Sequence, residues 1–330
     1  MAGRTLALAL AAVLLSTACG ATIAQEDAGG GAVTITNCGQ RVTYDRVPER
    51  IVTNDTGITE IVFALGLADR VAGYVVGTGH ASDLESSPWK AEFAARPKIA
   101  TKISAEVVQG ANADLVFAGW NYGFSESTGF TPDALADLGV PTYLLTESCR
   151  NGTGTQRGIM PPLEALYTDL RNLGQIFGVP ERAEALVARY QREVAEAEEL
   201  MEGRPAPDVF LYDSGIDQPF TSGANAAPQE IVSRAGGRNV FDDLDDSWTT
   251  AGWESVVDRD PDVVLINDYD DGDAATADAK REFLLSHPAI ADVTAIRERR
   301  FFVLPYAALV ESPRNPAAIR AFAEFLAAIP

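Results

Sequence analysis

Residues 161–202 read as two successive amphipathic helices. Leu163, Leu166, Tyr167, Leu170, Leu173, Ile176 and Phe177 recur at the spacing that puts them on one helical face. Gly178 and Pro180 break the pattern, and a second helical run begins at Glu181. Taken alone, the first run fits either a stiff connector between two lobes or a crossover helix inside one α/β domain.

The flanks decide between these. Before the connector, residues 33–44 alternate apolar and polar around Asn37-Cys38-Gly39-Gln40, which predicts a β-hairpin. Short apolar strands follow at 51–53, 71–76, 114–118 and 142–145. Helical patterns at 58–67, 104–110 and 132–138 separate them, the first of these capped from Asn54-Asp55-Thr56-Gly57. After the connector the alternation restarts, with strands at 208–212, 261–267 and 300–304 and helices at 228–235, 253–258, 274–285 and 317–328. Strand, helix, strand in repetition predicts mostly parallel sheets covered on both faces. The expected fold class is therefore α/β, two Rossmann-like lobes joined by a single long inter-lobe helix. The N-terminal lobe is expected over 33–160, the connector over 161–178 and the C-terminal lobe over 179–330. A cleft between lobes is a natural ligand site.

Charge narrows the partners. The chain has 330 residues and a formal charge of -21. An acidic protein is repelled by nucleic acid and by anionic lipid, so neither is expected as a partner.

The N-terminus has the layout of an export signal. Arg4 supplies a positive start, and residues 5–15 form an apolar run too short to span a bilayer. The following Ser16-Thr17-Ala18-Cys19-Gly20 resembles a bacterial lipobox, with Ser16 where that pattern usually has Leu. Residues 1–19 are read as a lipoprotein signal peptide with Cys19 lipidated, the alternative being secretion with cleavage near Ala18 or Ala24. Residues 20–32 are small, polar and Gly-rich, a flexible tether. The expected location is extracytoplasmic, on the outer face of the cell membrane, held by lipid only. In that oxidising compartment the two remaining cysteines, Cys38 and Cys149, are expected to pair and to clamp one lobe's start to its end.

Several fragments, in order, resemble one family. They are Pro48-Glu49-Arg50-Ile51-Val52-Thr53, Thr59-Glu60-Ile61-Val62-Phe63-Ala64-Leu65-Gly66-Leu67, Asp69-Arg70-Val71-Ala72-Gly73, and Glu106 followed by Ala113-Asp114-Leu115-Val116. Later come Leu173-Gly174-Gln175-Ile176-Phe177-Gly178, Arg182-Ala183-Glu184, Ala235-Gly236-Gly237-Arg238-Asn239-Val240-Phe241, and Trp253-Glu254 ahead of Asp260-Pro261-Asp262-Val263. Together they are similar to the helical-backbone substrate-binding proteins of ABC importers, the class III periplasmic binding proteins that carry ferric siderophores, cobalamin or haem. The Asn37-Cys38-Gly39 start and the late Cys149 look like an actinobacterial lipoprotein branch. Ala113-Asp114 stands where the family usually has Pro-Asp. The resemblance implies ligand capture between the lobes with limited closure, and delivery to an ABC permease with its cytoplasmic ATPase. It also implies one acidic docking residue per lobe. Glu254 fits that position in the second lobe, and Glu92, with Glu85 behind it, is the choice in the first. Exposed carboxylates steer a partner bearing guanidinium groups, whereas the plainer reading is two solvated helix charges.

Candidate ligand contacts lie on loops after strands. Trp120 and Tyr122, in Gly119-Trp120-Asn121-Tyr122-Gly123-Phe124, lead, because aromatics flanked by Gly stay exposed unless a ligand or the lobe itself covers them. Lys102 stands near the place of a ligand-contacting Arg in the family's hydroxamate binders, with charge kept and the planar fork lost. Asn54, Asp55 and Thr56 face the cleft or cap a helix. Asp213, with Ser214 and Gly215, follows a strand; Trp248 and Trp253 bracket a turn; Tyr306 follows another strand. Arg314 reaches a ligand carboxylate or sits on the surface.

Other signals are weaker. The two histidines, His80 and His287, are too few for a site binding bare zinc or manganese, and His80 is read as a loop residue. Asp268-Tyr269-Asp270-Asp271-Gly272-Asp273 lacks the closing Glu of a calcium loop and reads as a solvated acidic loop. No catalytic triad, cofactor or metal site is expected, and the chain is read as a monomer and not an enzyme. A two-lobed redox enzyme with a metal cluster would need cysteine ligands between the lobes. The leading expectation is an iron-siderophore carrier. The alternatives are cobalamin, haem or another large cofactor precursor, or a ligand sensor without transport.

Overall fold

The structure is a computed structural model describing residues 31–152, 154–269 and 276–329. The expected signal peptide, lipidated Cys19, most of the tether and residues 270–273 of the expected acidic loop lie outside the described residues.

The first part of the chain begins with the antiparallel hairpin β1 (Val33–Asn37) and β2 (Gln40–Tyr44). Its turn residues Cys38 and Gly39 both have positive φ, 49° and 73°, the backbone that a two-residue hairpin turn of this hand requires. Then come β3 (Ile51–Asn54), α1 (Thr56–Ala64), β4 (Val71–Val75), α2 (Ala81–Glu85), α3 (Lys90–Ala95), β5 (Lys98–Ala100), α4 (Ala105–Gly110), β6 (Leu115–Trp120), β7 (Gly123–Phe124), α5 (Pro132–Asp137) and β8 (Thr142–Leu144). They build a parallel sheet in the order β5-β4-β3-β6-β8, with β7 added against the end of β6. The Asn37 side chain both donates to and accepts from the Leu144 backbone at 2.9 Å, which ties the hairpin to β8. Cys38 and Cys149 form a disulfide beside this tie, with Cα atoms 5.2 Å apart.

Next are α6 (Pro162–Ile176), ended by Gly178 at φ 68°, and α7 (Pro180–Glu198). The last part contains β9 (Asp208–Tyr212), β10 (Phe220–Ser222), α8 (Ala227–Arg234), β11 (Arg238–Asn239), β12 (Trp248–Thr250), α9 (Trp253–Arg259), β13 (Val263–Asp268), α10 (Ala277–Ser286), α11 (Thr294–Arg297), β14 (Phe301–Pro305), α12 (Tyr306–Leu309) and α13 (Asn315–Ala328). Its parallel sheet has the order β11-β9-β13-β14. The two sheets are separate, and α6 is the long helix between the two α/β lobes.

Strand alternation sorts the side chains into different cores. In β9, Val209 and Leu211 join one buried cluster while Phe210 and Tyr212 join another. In β6, Leu115 and Phe117 join the first cluster and Val116 and Ala118 a third. The first cluster is shared: it holds Ile58 of the N-terminal lobe, Leu166, Leu170 and Leu173 of α6, Tyr190 of α7, and Leu265 and Phe322 of the C-terminal lobe.

The polar residues of α6 are as informative as its apolar stripe. Asp169 is fully buried and accepts from Tyr143 Oη at 2.6 Å and from the Thr146 backbone N–H at 2.9 Å. Asn172 donates to Thr36 O at 3.0 Å and to Tyr143 Oη at 3.1 Å. The helix is thereby pinned to the N-terminal lobe by directional bonds as well as by burial.

Candidate functional site

Loops at the carboxyl ends of the parallel strands line two neighbouring compartments of a cleft, which have Asn121 in common. The outer one, about 410 Å³, is formed by the loops after β3, β4 and β6 and includes Asn54, Asp55, His80, Lys102 and Asn121. The inner one, about 180 Å³, lies between the lobes and shares Asn121 with the outer one. Tyr122 and Arg157 form one of its sides; Asp213, Phe220, Trp248, Tyr269 and Tyr306 form the other.

Asp55 is both a helix cap and a lobe contact. It is the N-cap of α1 at φ 89°, where its carboxylate accepts from Gly57 N–H at 2.8 Å. The same carboxylate accepts from Tyr306 Oη of the other lobe at 2.6 Å. Burial pushes its pKa above the usual carboxylate value, against the opposing effects of Tyr306, His80 and Gly57. His80 packs beside this contact, its ring 4.6 Å from that of Tyr306 and its Nδ1 3.0 Å from Asp83. Burial alone would lower the His80 imidazole, but the Asp83 hydrogen bond and the charges of Asp55 and Asp83 outweigh it and hold its pKa above the ordinary value.

Opposite, Asp213 is buried and fully engaged. It accepts from Asn267 Nδ2 at 2.6 Å, Tyr269 Oη at 2.8 Å and Ser214 Oγ at 2.8 Å. Beneath Tyr269, Lys280 Nζ lies 4.4 Å from the ring centroid and donates to Asn267 O at 2.6 Å. Burial lowers this ammonium to about 8. Burial, followed by the Glu147 charge, raises the Tyr122 phenol well above its ordinary value, so it stays protonated at neutral pH.

Of the residues expected from sequence, Asn54, Asp55, Lys102, Tyr122, Asp213, Trp248 and Tyr306 line the cleft. Four others do not. Trp120 ends β6 with its ring covered by the Arg150 guanidinium, 3.7 Å from the centroid, and it faces neither compartment. Thr56 is fully buried behind Asp55. Trp253 belongs to the C-terminal lobe's own core with Phe210 and Tyr212, its Nε1 bonded to Ile216 O at 2.8 Å. Arg314 is buried and not a surface charge, and it lines neither compartment. It is 8% exposed and ion-paired with buried Glu60 of α1, and it also donates to Asp83 O at 2.7 Å and Ser86 Oγ at 3.2 Å. Glu254 is exposed in the first turn of α9 and Glu92 is half-buried in α3.

His80, Asn121, Arg157, Phe220 and Tyr269 complete the cleft and were not among the residues expected. His80, expected as a loop residue and not as a ligand contact, stands just ahead of α2 and lines the outer compartment. For Arg157, in an irregular stretch rich in Gly, Thr and Asn, periodicity offers no signal.

A family model described as "Periplasmic binding protein" matches residues 51–308. Among curated proteins, the vitamin B12-binding protein of Yersinia pestis (strain Pestoides F) is 26% identical over 219 residues, covering 66% of this chain and 69% of that protein. Among solved structures, the periplasmic heme-binding protein of Roseiflexus sp. RS-1 in apo form is 28% identical with a TM-score of 0.65, covering 84% of this chain and 97% of that one. An ABC-type Fe3+-hydroxamate transport system structure from Saccharomonospora viridis DSM 43017 has a TM-score of 0.73 over 89% of this chain and 98% of that one. At 24% identity it shows a shared fold.

Proposed function

The chain belongs to the periplasmic binding protein family, and on that premise we propose that it captures a ferric siderophore between its lobes and delivers it to an ABC permease. Membership implies an extracytoplasmic location. Anchoring through a lipidated Cys19 is part of the same proposal, as is a monomeric state. The observation that carries the reading is the cleft itself, with phenols and indole from both lobes around an inner compartment and polar groups at its mouth. Such a lining suits a bulky chelate held by its outer surface, with iron already satisfied by its chelator. Glu254 and Glu92 are proposed to dock on permease arginines.

A second reading, cobalamin or haem, is favoured by what the Yersinia and Roseiflexus proteins are named for binding. Quenching of intrinsic tryptophan fluorescence tests the choice, with ferric hydroxamates, ferric catecholates, haem and cobalamin as titrants. Trp248 in the cleft wall is the expected reporter. Saturable one-to-one quenching by a ferric chelate is the expected result, and quenching by haem or cobalamin alone would replace the siderophore with a tetrapyrrole.

A further inference from the structure

Arg157 is 7% exposed and lines the inner compartment beside Tyr122 and Tyr269. A guanidinium removed from water is costly unless its charge and its five donors are met. Among the described residues its one side-chain hydrogen bond goes to Trp248 O, at 3.3 Å. It takes part in none of the ion pairs formed among the described residues. The carboxylates of the same cleft are occupied elsewhere: Asp213 by Asn267, Tyr269 and Ser214, and Asp55 by Gly57 and Tyr306. The Arg157 charge favours the ionised form of buried Glu147, whose Oε1 has no hydrogen-bond partner, but burial outweighs it and raises that carboxyl to about 7, so near neutrality it offers only part of a counter-charge. Among the described residues, the Asp213 and Asp55 carboxylates of the cleft are thus engaged by other donors, while the Arg157 guanidinium keeps most of its own donors unused.

We propose that Arg157 selects for a ligand carrying an oxyanion, a carboxylate or a phosphate ester, which enters the inner compartment and pairs with the guanidinium while the body of the ligand fills the outer one. The proposal rests on the cleft being the binding site. A planar fork suits a two-oxygen group, and a charge pair sheltered from water is stronger than one at the surface. Neutral ligands of the same bulk would leave the guanidinium unanswered and bind less well.

The test uses paired titrants that differ in free acid groups. Haemin is compared with haemin dimethyl ester, and ferric aerobactin, which has free carboxylates, with uncharged ferrichrome. Binding to the wild-type protein and to Arg157→Gln and Arg157→Lys is followed by fluorescence quenching, with thermal melts confirming that each variant folds. The expected result is that the tightest titrant carries free carboxylates. Arg157→Gln should weaken it about tenfold or more while leaving neutral titrants within about twofold, and Arg157→Lys should restore part of the loss. A neutral titrant binding tightest, or equal weakening of acidic and neutral titrants by Arg157→Gln, overturns the assignment and leaves the cleft as the binding site. Absence of saturable quenching by all four overturns both.

Discussion

Glu147 and Glu311 hold each other's main chain across the junction of the lobes. The Glu311 carboxylate accepts from Glu147 N–H at 2.9 Å, and the Glu147 carboxylate accepts from Glu311 N–H at 3.0 Å. Both side chains are 1% exposed, and Asp169 of α6 is buried nearby. Burial is the main reason that Glu147 is raised to about 7 and Asp169 to about 6; burial, with the charges of Asp169 and Glu147, holds Glu311 well above its ordinary value.

This arrangement makes stability pH-dependent in a definite direction. Glu147 titrates from about 4.5 when unfolded to about 7 when folded, so between those values the folded chain holds the proton that the unfolded chain has lost. Its favourable contribution is complete below the unfolded value and disappears as the pH rises through about 7. The full swing is on the order of 3 kcal/mol. Urea denaturation at pH 5 and pH 8 should show Glu147→Gln losing less stability than the wild type over that interval. Parallel pH profiles for the two proteins would remove the carboxyl pair as the cause.

Arg314→Ala is expected to cost about 3–5 kcal/mol in urea denaturation, because it strands the buried Glu60 carboxylate. Replacing both partners by apolar residues of similar volume should cost much less. Ligand affinity should change little in either variant, since neither side chain lines the cleft.

Three aromatic substitutions should give three different outcomes. Tyr122→Ala, in the cleft wall, should weaken ligand binding by about 1–3 kcal/mol in fluorescence titration. Trp120→Ala should leave affinity within about 0.5 kcal/mol, the ring being covered by Arg150 and lining neither compartment. Trp253→Ala should cost about 3–5 kcal/mol of folding stability through the cavity left among Phe210 and Tyr212.

Reducing the Cys38–Cys149 disulfide, whose partners are 111 residues apart, should destabilise the chain by about 5 kcal/mol in the loop-entropy account. Melting temperature with and without reductant measures this. An unchanged value would mean that the Asn37–Leu144 tie alone suffices to hold the hairpin.

The fold was readable where one local rule decided it. Asp208–Tyr212 is a strand at both of its expected ends because its alternate residues feed two different cores. The stripe from Leu163 to Ile176 is helical and buried as its spacing requires. Several short elements were missed, α2, α3, β5, β10 and β12 among them, because they lack the uninterrupted apolar run that marks the equally short β8 and β9. The cleft was half readable. Residues that follow strands with a clear apolar run, such as Asp55, Tyr122 and Asp213, could be inferred from strand position. Arg314 could not, since its meaning depends on Glu60, 254 residues away in sequence. Arg157 gives no local signal either; its place shows only in the walls that both lobes bring around it, where among the described residues it forms no ion pair.

Ile58, Leu166, Tyr190 and Phe322 belong to a single dry seam that runs through both halves of the molecule. Cutting the chain at the connector would wet that seam on both fragments, so neither half is a self-sufficient module to be swapped or expressed alone. Heating should disassemble the halves together, in one calorimetric peak, and motion in the native protein should be a slight flexing of the walls around the guest.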